Sequence, residues 1–315
     1  MLAQFKKDVE QGLGASPKTL PSKYFYDKKG DELFVQIMNL PEYYLTRAEF
    51  EIFKEQSEEL IQALEITPKQ HFELIELGPG DGTKTKELLK VLDQGDYQFD
   101  YLPIDISQNA LDQLEQNLSE ELPGVSVRKK QGDYFTMLAS LRESHHPKVL
   151  FFLGSNIGNM TDRQAAEFIY KLGSNLLPGD KLFLGVDLIK PANIVLPAYS
   201  DPAGLTKAFN LNLLSRINSE LGGDFDINRF SHQPEYTVEN GIAISYLVSK
   251  VEQTVTLNGS SQIFKFSQGE KILTEISRKY DDEIINKIIR NTDFQITHKL
   301  TDRNGYFADY ILERV

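Results

Sequence analysis

The chain has 315 residues, 40% of them hydrophobic and 25% charged, with no cysteine and a formal net charge of −12. That length builds one large domain or two modest ones, and the balance is that of an ordinary globular protein. Disulfides and thiolate metal sites are excluded, the acidic balance argues against a nucleic-acid partner, and the apolar runs are too short to span a bilayer. The N-terminal stretch MLAQFKKDVEQGLG lacks the apolar centre of a signal peptide. A cytoplasmic protein acting on a small molecule is expected, with no membrane and no obligate protein partner. The histidines (His71, His145, His146, His232, His298) show no metal-ligand spacing, so no metal is expected.

Residues 21–44 are rich in aromatics and turn formers. Thr46-Arg47-Ala48-Glu49 then fits a capping box opening a helix with Phe50, Phe53, Leu60, Ile61 and Leu64 inward. Phe72, Leu74 and Ile75 read as a buried strand ending in Glu76, and Gly78-Pro79-Gly80-Asp81-Gly82 turns into a helix over 83–91. A second strand covers 99–106, after which Ser107 caps a helix carrying Leu111, Leu114 and Leu118. A third strand is predicted near 125–129 and a fourth at 149–153. Thr161 to Gln164 is another capping box, and 177–180 breaks that helix before a strand over 181–186. Strands alternating with helices at these lengths predict a doubly wound parallel sheet.

After Asp187 the pattern changes. A long helix over 201–221 stops at Gly222-Gly223, and alternating segments follow at 242–257 and 263–266 around Asn258-Gly259. From Asp281 a helix returns, then two strands around Asp302 to Gly305 make a closing hairpin. The expected layout is discontinuous. Residues 51–187 and 279–315 form a cofactor domain; 1–50 and the insertion 188–278 form a second, α+β substrate domain over its cleft.

Glycines in a strand-to-helix turn let a ligand approach the backbone, where the first N–H groups of the helix face it. In a doubly wound sheet that is where a nucleotide-like cofactor binds. A dinucleotide fingerprint would need glycine at Thr83, and no Gly-Lys-Ser/Thr follows for a P-loop. Asp105, ending YLPIDIS, stands where an acid would take a ribose diol. A glycine turn followed one strand later by an acid is the pattern of an S-adenosylmethionine (SAM) methyltransferase. The plain alternative is a tight turn and an unrelated strand-end aspartate.

The blocks KYFYDKKGDELFVQIMNLPEYYLTRAE, ELGPGDGTKTKELL, YLPIDIS, FFLGSNIGN, LFLGVDLIK, AYSDPAGLTKAFNLNLL and ILTEISRKY occur in this order. Through them the chain resembles the histidine-specific SAM-dependent methyltransferases over nearly its full length. The resemblance implies a class I methyltransferase fold with a C-terminal β-hairpin. It implies transfer of methyl groups to the α-amine of histidine, up to trimethylhistidine (hercynine), in ergothioneine biosynthesis. It also assigns residues. Gly78, Gly80, Lys84, Asp105, Asp133 and Tyr134 fall at cofactor-binding positions. Asn159 falls at the amine, Tyr26 and Tyr199 at the substrate carboxylate, Tyr43 along the site, and Glu275 with Ser277 at the imidazole. Two positions depart from the family pattern: Asn156 replaces a serine or threonine, and Ser245 a methionine near the imidazole.

Chemically, Asn159 can accept an amine hydrogen and leave the lone pair aimed at the methyl group, or it can cap the helix that follows. Tyrosine hydroxyls can orient a carboxylate and their rings can surround a methylated ammonium; each is otherwise a half-buried core residue. Glu275, in an apolar strand, is an expensive carboxylate to leave unpaired. Another amine substrate stays open because of Asn156 and Ser245, and so does a non-catalytic SAM-binding module.

Overall fold

The computed structural model describes residues 2–315, which fall into two compact units: residues up to Tyr44 with Lys190–Lys279, and Leu45–Ile189 with Tyr280–Val315. In chain order the first unit opens with α1 (Leu2–Gly14), β1 (Lys18–Thr19) and α2 (Lys28–Met38). The chain then runs through α3 (Tyr44–Glu55), α4 (Ser57–Ala63), β2 (Phe72–Leu77), α5 (Thr83–Gln94), β3 (Phe99–Asp105) and α6 (Gln108–Glu121). Next come β4 (Ser126–Val127), β5 (Lys130–Gln131), α7 (Tyr134–Ala139), β6 (Lys148–Phe152), α8 (Asp162–Gly173) and β7 (Lys181–Asp187). It returns to the first unit in α9 (Ala192–Tyr199), α10 (Leu205–Leu221), β8 (Phe230–Thr237), β9 (Ile242–Ser249), β10 (Gln253–Thr256), β11 (Ile263–Phe266) and β12 (Lys271–Arg278). The second unit closes with α11 (Asp282–Ile289), β13 (Phe294–Thr301) and β14 (Phe307–Arg314).

The second unit is the doubly wound sheet, in the order β13-β14-β7-β6-β2-β3-β4, with β5 also pairing β3. Strands β2 to β7 pair in parallel, and the antiparallel hairpin β13–β14 joins at β7. Both faces are covered. Ile75, Leu102, Leu150 and Leu182 pack with Phe168, Ile169 and Ile285 on one side; Leu74, Val149, Phe151 and Phe183 pack with Phe53, Leu88 and Leu114 on the other. Strands buried on both faces read as unbroken apolar runs, which is why β2 and β6 stand out in the sequence. From β2 the chain winds one way through β3 and β4, then the other way through β6 and β7. The crevice this reversal opens lies beyond the carboxyl ends of β2 and β6.

The first unit holds an antiparallel sheet with one parallel edge strand, β1-β12-β9-β8, and the separate hairpin β10–β11. Its core joins Phe209, Leu213, Leu214 and Ile217 of α10 to Leu247 and Ile272 of the sheet. The register of β12 on β9 slips between Leu273 and Glu275. Ile272 pairs Leu247 while Glu275 pairs Ser245, so the bulge returns Glu275 to the face of the sheet that carries Ile272. Thr274, inside the bulge, is held by bonds to Asn210 Oδ1 (2.9 Å) and the Ser245 carbonyl (3.0 Å). Bulges of this kind bend a strand and re-aim a side chain.

Several local expectations change. Helices α1, α2, α7 and α9 and strands β1 and β8 have no counterpart in the sequence reading. The expected third strand is two short pieces, β4 and β5. The predicted helix at Asp201 begins at Leu205, because the Asp201 carboxylate accepts the Leu205 and Thr206 amides at 2.8 and 2.7 Å. Helix α3 starts at Tyr44, ahead of the capping box read at Thr46, and Glu49 has other partners. The box at Thr161 is present, with Thr161 and Gln164 bonded reciprocally. The units divide after Tyr44, Ile189 and Lys279, against expected divisions after residues 50, 187 and 278. No helix among the described residues is long and apolar enough to cross a membrane.

Candidate active site

In the second unit, the turn after β2 holds Gly78 and Gly80 at φ +65° and +59°. A Cβ at Gly78 would lie 2.7 Å from the Tyr134 hydroxyl, whereas one at Gly80 would meet nothing within 4 Å. The Gly80 backbone therefore borders open space, as the approach of a ligand requires. Asp105 ends β3; its Oδ1 accepts the Ser107 amide at 2.8 Å, while Oδ2 takes no hydrogen bond from the described residues. Asp133 caps α7 by accepting the Thr136 amide at 3.0 Å. Tyr134 follows it, its phenol pushed up to about 12 by burial and then by the negative charges of Asp105 and Glu76. These residues thus converge: the glycine turn, the strand-end acid and the α7 pair line one crevice edge. They fit an adenosine-bearing cofactor, with an uncommitted carboxylate oxygen for the diol and open backbone at Gly80.

Beneath the turn lies a group of carboxylates that the sequence did not disclose. Glu49 of α3, fully buried, accepts the Lys84 ammonium and the Gly154 amide at 2.9 and 3.0 Å. Burial lowers the pKa of Lys84, but Glu49 and then Glu76 and Asp309 outweigh it and leave it above its ordinary value. Glu76, bonded by Tyr101 (2.6 Å) and Thr85 (2.8 Å), is pushed up to about 7 by burial, against the lowering effect of those bonds. Neither Asp309 oxygen has a hydrogen-bond partner among the described residues; burial and then the charge of Glu49 hold its carboxyl well above the usual range. A Cβ at Gly185 would collide with Glu49 Oε1 and lie 2.9 Å from Asp309 Oδ1, so any side chain there would have to displace these carboxylates.

Asn159 ends the turn after β6, which passes through Gly154 at φ +73° and Ser155 at φ +57°. Its side chain is exposed and unbonded among the described residues. It caps no helix, since Thr161 caps α8. Asn156 donates to the Leu153 carbonyl at 2.9 Å and so closes this turn.

In the first unit, Tyr26 packs edge-on against Phe34 and Phe209 at 5.5 and 5.7 Å, and Phe34 meets Tyr43 at 6.1 Å. Tyr26 leaves 46% of its surface exposed, yet desolvation of its hydroxyl, then the charges of Glu275, Asp31 and Tyr199, raise the phenol far above its usual value. Glu275 accepts a hydrogen bond from Ser245 Oγ at 3.4 Å. Burial pushes its carboxyl up to about 7, with Lys279 and the Ser245 bond pulling the other way. Lys279, fully buried, donates to Tyr199 Oη at 2.7 Å and Ser277 Oγ at 2.8 Å. Tyr26, Tyr43, Tyr199, Glu275 and Ser277 thus stand in the first unit, and Asn159 in the second with the expected cofactor residues. Sequence reasoning missed Lys279, although the alternating spacing 275, 277, 279, continued one residue past the end of β12, could have shown it.

A family model described as histidine-specific, SAM-dependent methyltransferase matches residues 5–314. Histidine N-alpha-methyltransferase of Mycolicibacterium smegmatis is 36% identical over 96% of this chain and 92% of its own length. Its counterpart from Mycobacterium tuberculosis is 35% identical over the same shares, 96% and 92%. Ergothioneine biosynthesis protein 1 of Schizosaccharomyces pombe is 31% identical over 98% of this chain, which spans 40% of that protein.

Proposed function

Because the chain belongs to the histidine-specific SAM-dependent methyltransferases, we propose that it methylates the α-amine of L-histidine, up to the trimethylated product. The observation that carries this reading is Glu275, turned by a bulge onto the inner face of its sheet beside Ser277, as an imidazole reader needs.

SAM is the cofactor, and when bound it supplies a methyl group on a sulfonium, ready for in-line displacement. The residues of this chain contribute positioning, which can carry a large part of such a barrier. Asp105 offers Oδ2 to the ribose, and Gly80 leaves the backbone open to the ligand. Lys84 has further N–H donors beyond its bond to Glu49. The Asn159 amide oxygen accepts one hydrogen of the neutral amine and orients its lone pair. Tyr26 and Tyr199 direct hydroxyls at the substrate carboxylate, while the rings of Tyr26 and Tyr43 present faces suited to a methylated ammonium. Glu275 accepts an imidazole N–H, and Ser277 serves the other ring nitrogen.

A second amine substrate remains the competing reading, favoured by Ser245 lying directly against Glu275. Incubation with SAM and a panel of amino acids, followed by fragmentation mass spectrometry, separates the two. Mass gains confined to the α-nitrogen of histidine support the reading; transfer to another amino acid with histidine untouched overturns it.

A further inference from the structure

Residues 275 and 277 of β12 and residue 279, just past its end, carry an acid, a hydroxyl and an ammonium. Lys279 Nζ lies 2.7 Å from Tyr199 Oη and 2.8 Å from Ser277 Oγ and 4.9 Å from the centre of the Tyr199 ring. An ammonium only donates, so both oxygens accept from it. A hydroxyl that accepts from Lys279 must point its own hydrogen elsewhere. For Ser277, 6% exposed, no described residue receives that hydrogen. A buried donor left without an acceptor is costly, so Ser277 is set to donate to whatever fills the space beside it. Glu275 has the opposite polarity: its carboxylate accepts, and its hydrogen bond among the described residues is the long one from Ser245 at 3.4 Å.

We propose that Lys279 is a positioning residue that fixes the hydrogen-bond polarity of the imidazole subsite, making Ser277 a donor, so that the substrate ring is held neutral in a single tautomer. The ring N–H goes to Glu275 and the bare nitrogen accepts from Ser277. A cationic ring would bring a second N–H, and a second positive charge, onto an oxygen already holding an ammonium. This deepens the histidine reading and rests on it. It also separates the subsite into a carboxylate that reads a donor and a serine that reads an acceptor, so rings with only one of the two functions are disfavoured.

Steady-state kinetics of the full chain with SAM test it, using histidine and two ring analogues: pyrrolylalanine, with the N–H but no bare nitrogen, and thiazolylalanine, with the bare nitrogen but no N–H. In the wild type, KM for pyrrolylalanine should exceed that for histidine by about tenfold or more, the value of one buried hydrogen bond plus a blocked donor. In Lys279→Met and in Ser277→Ala that ratio should fall to within about threefold, with kcat for histidine changed far less than KM, as loss of uniform binding requires. Lys279→Arg, which still donates, should keep the ratio, and thiazolylalanine should lose its residual binding in Ser277→Ala. A wild-type ratio near one overturns the proposal, and so does a ratio unchanged in a folded Lys279→Met. Should that variant fail to fold, an unchanged ratio in Ser277→Ala has the same force. Failure of the wild type to methylate histidine at all would instead overturn the parent reading.

Discussion

Each unit buries a lysine beside a glutamate, and the two pairs are used in opposite ways. In the second unit Lys84 is bonded directly to Glu49, whose carboxylate also takes the Gly154 amide. That pair is closed. In the first unit Lys279 gives hydrogens to Tyr199 and Ser277, and Glu275 is reached by Lys279 through its field while Ser245 lies 3.4 Å away. That carboxylate is open. A closed pair ties elements together; an open, desolvated carboxylate is poised to take a donor from outside. The same residue types thus serve architecture in one unit and recognition in the other.

Breaking the closed pair should have the largest effect. Glu49→Ala leaves a mostly buried ammonium and the Gly154 amide without their acceptor, and should destabilise the protein by about 3–5 kcal/mol, read by denaturant unfolding. A loss below about 1 kcal/mol would mean that Lys84 finds solvent or another acid at little cost.

Asn159→Ala touches neither pair. It should lower kcat on histidine by about 100-fold, the scale of a lost positioning contact, with SAM affinity and melting temperature unchanged. Near-normal turnover would remove Asn159 from the reaction. Asp105→Ala should weaken SAM binding by about 1–3 kcal/mol, since the ribose loses a charged acceptor. Calorimetry with SAM and the folded variant checks it, and unchanged affinity would refute the assignment.

The contrast between the units also marks what the sequence could disclose. Strands β2, β3, β6 and β7 were legible because burial on both faces makes continuous apolar runs, and the glycine turn and Asp105 follow from the chemistry of their positions. Helices α1, α2 and α9 were not seen. Helix α1 does carry a helical spacing at Phe5, Val9 and Leu13, α2 lies in a segment whose aromatics and turn residues obscure its period, and α9 contains Pro197. The bulge at Thr274 was invisible for a different reason. Strict alternation puts Glu275 on the opposite face from Ile272, and only the register against β9 reverses this. Local spacing places Glu49 in a cap, and it says nothing of a lysine 35 residues away.

A smaller effect follows from pH. Burial raises the Glu275 carboxyl from an ordinary 4.5 to about 7. The folded protein binds that proton more tightly than the unfolded chain, so its stabilising contribution is complete below about 4.5 and is lost as pH rises through about 7. Recognition runs the other way, because only the ionised carboxylate accepts an N–H without reserve. The kcat/KM ratio of histidine over phenylalanine, in which amine ionisation cancels, should therefore rise several-fold through about pH 7, the ring's own deprotonation near 6.5 adding to it. Glu275→Gln should flatten the part of the rise that belongs to the protein. A wild-type ratio that falls with pH would contradict the open-carboxylate assignment.

The most direct test of that assignment is kcat/KM for histidine and for phenylalanine, with SAM, in the wild type and in Glu275→Ala. Loss of a charge-assisted hydrogen bond in a desolvated site should lower the histidine value by about 2–3 kcal/mol, or roughly 30- to 150-fold. The phenylalanine value should stay nearly constant, since that ring never made the bond, so discrimination between the two should collapse. An unchanged ratio in a folded variant would contradict it, leaving Glu275 a buried acid with no part in choosing the substrate.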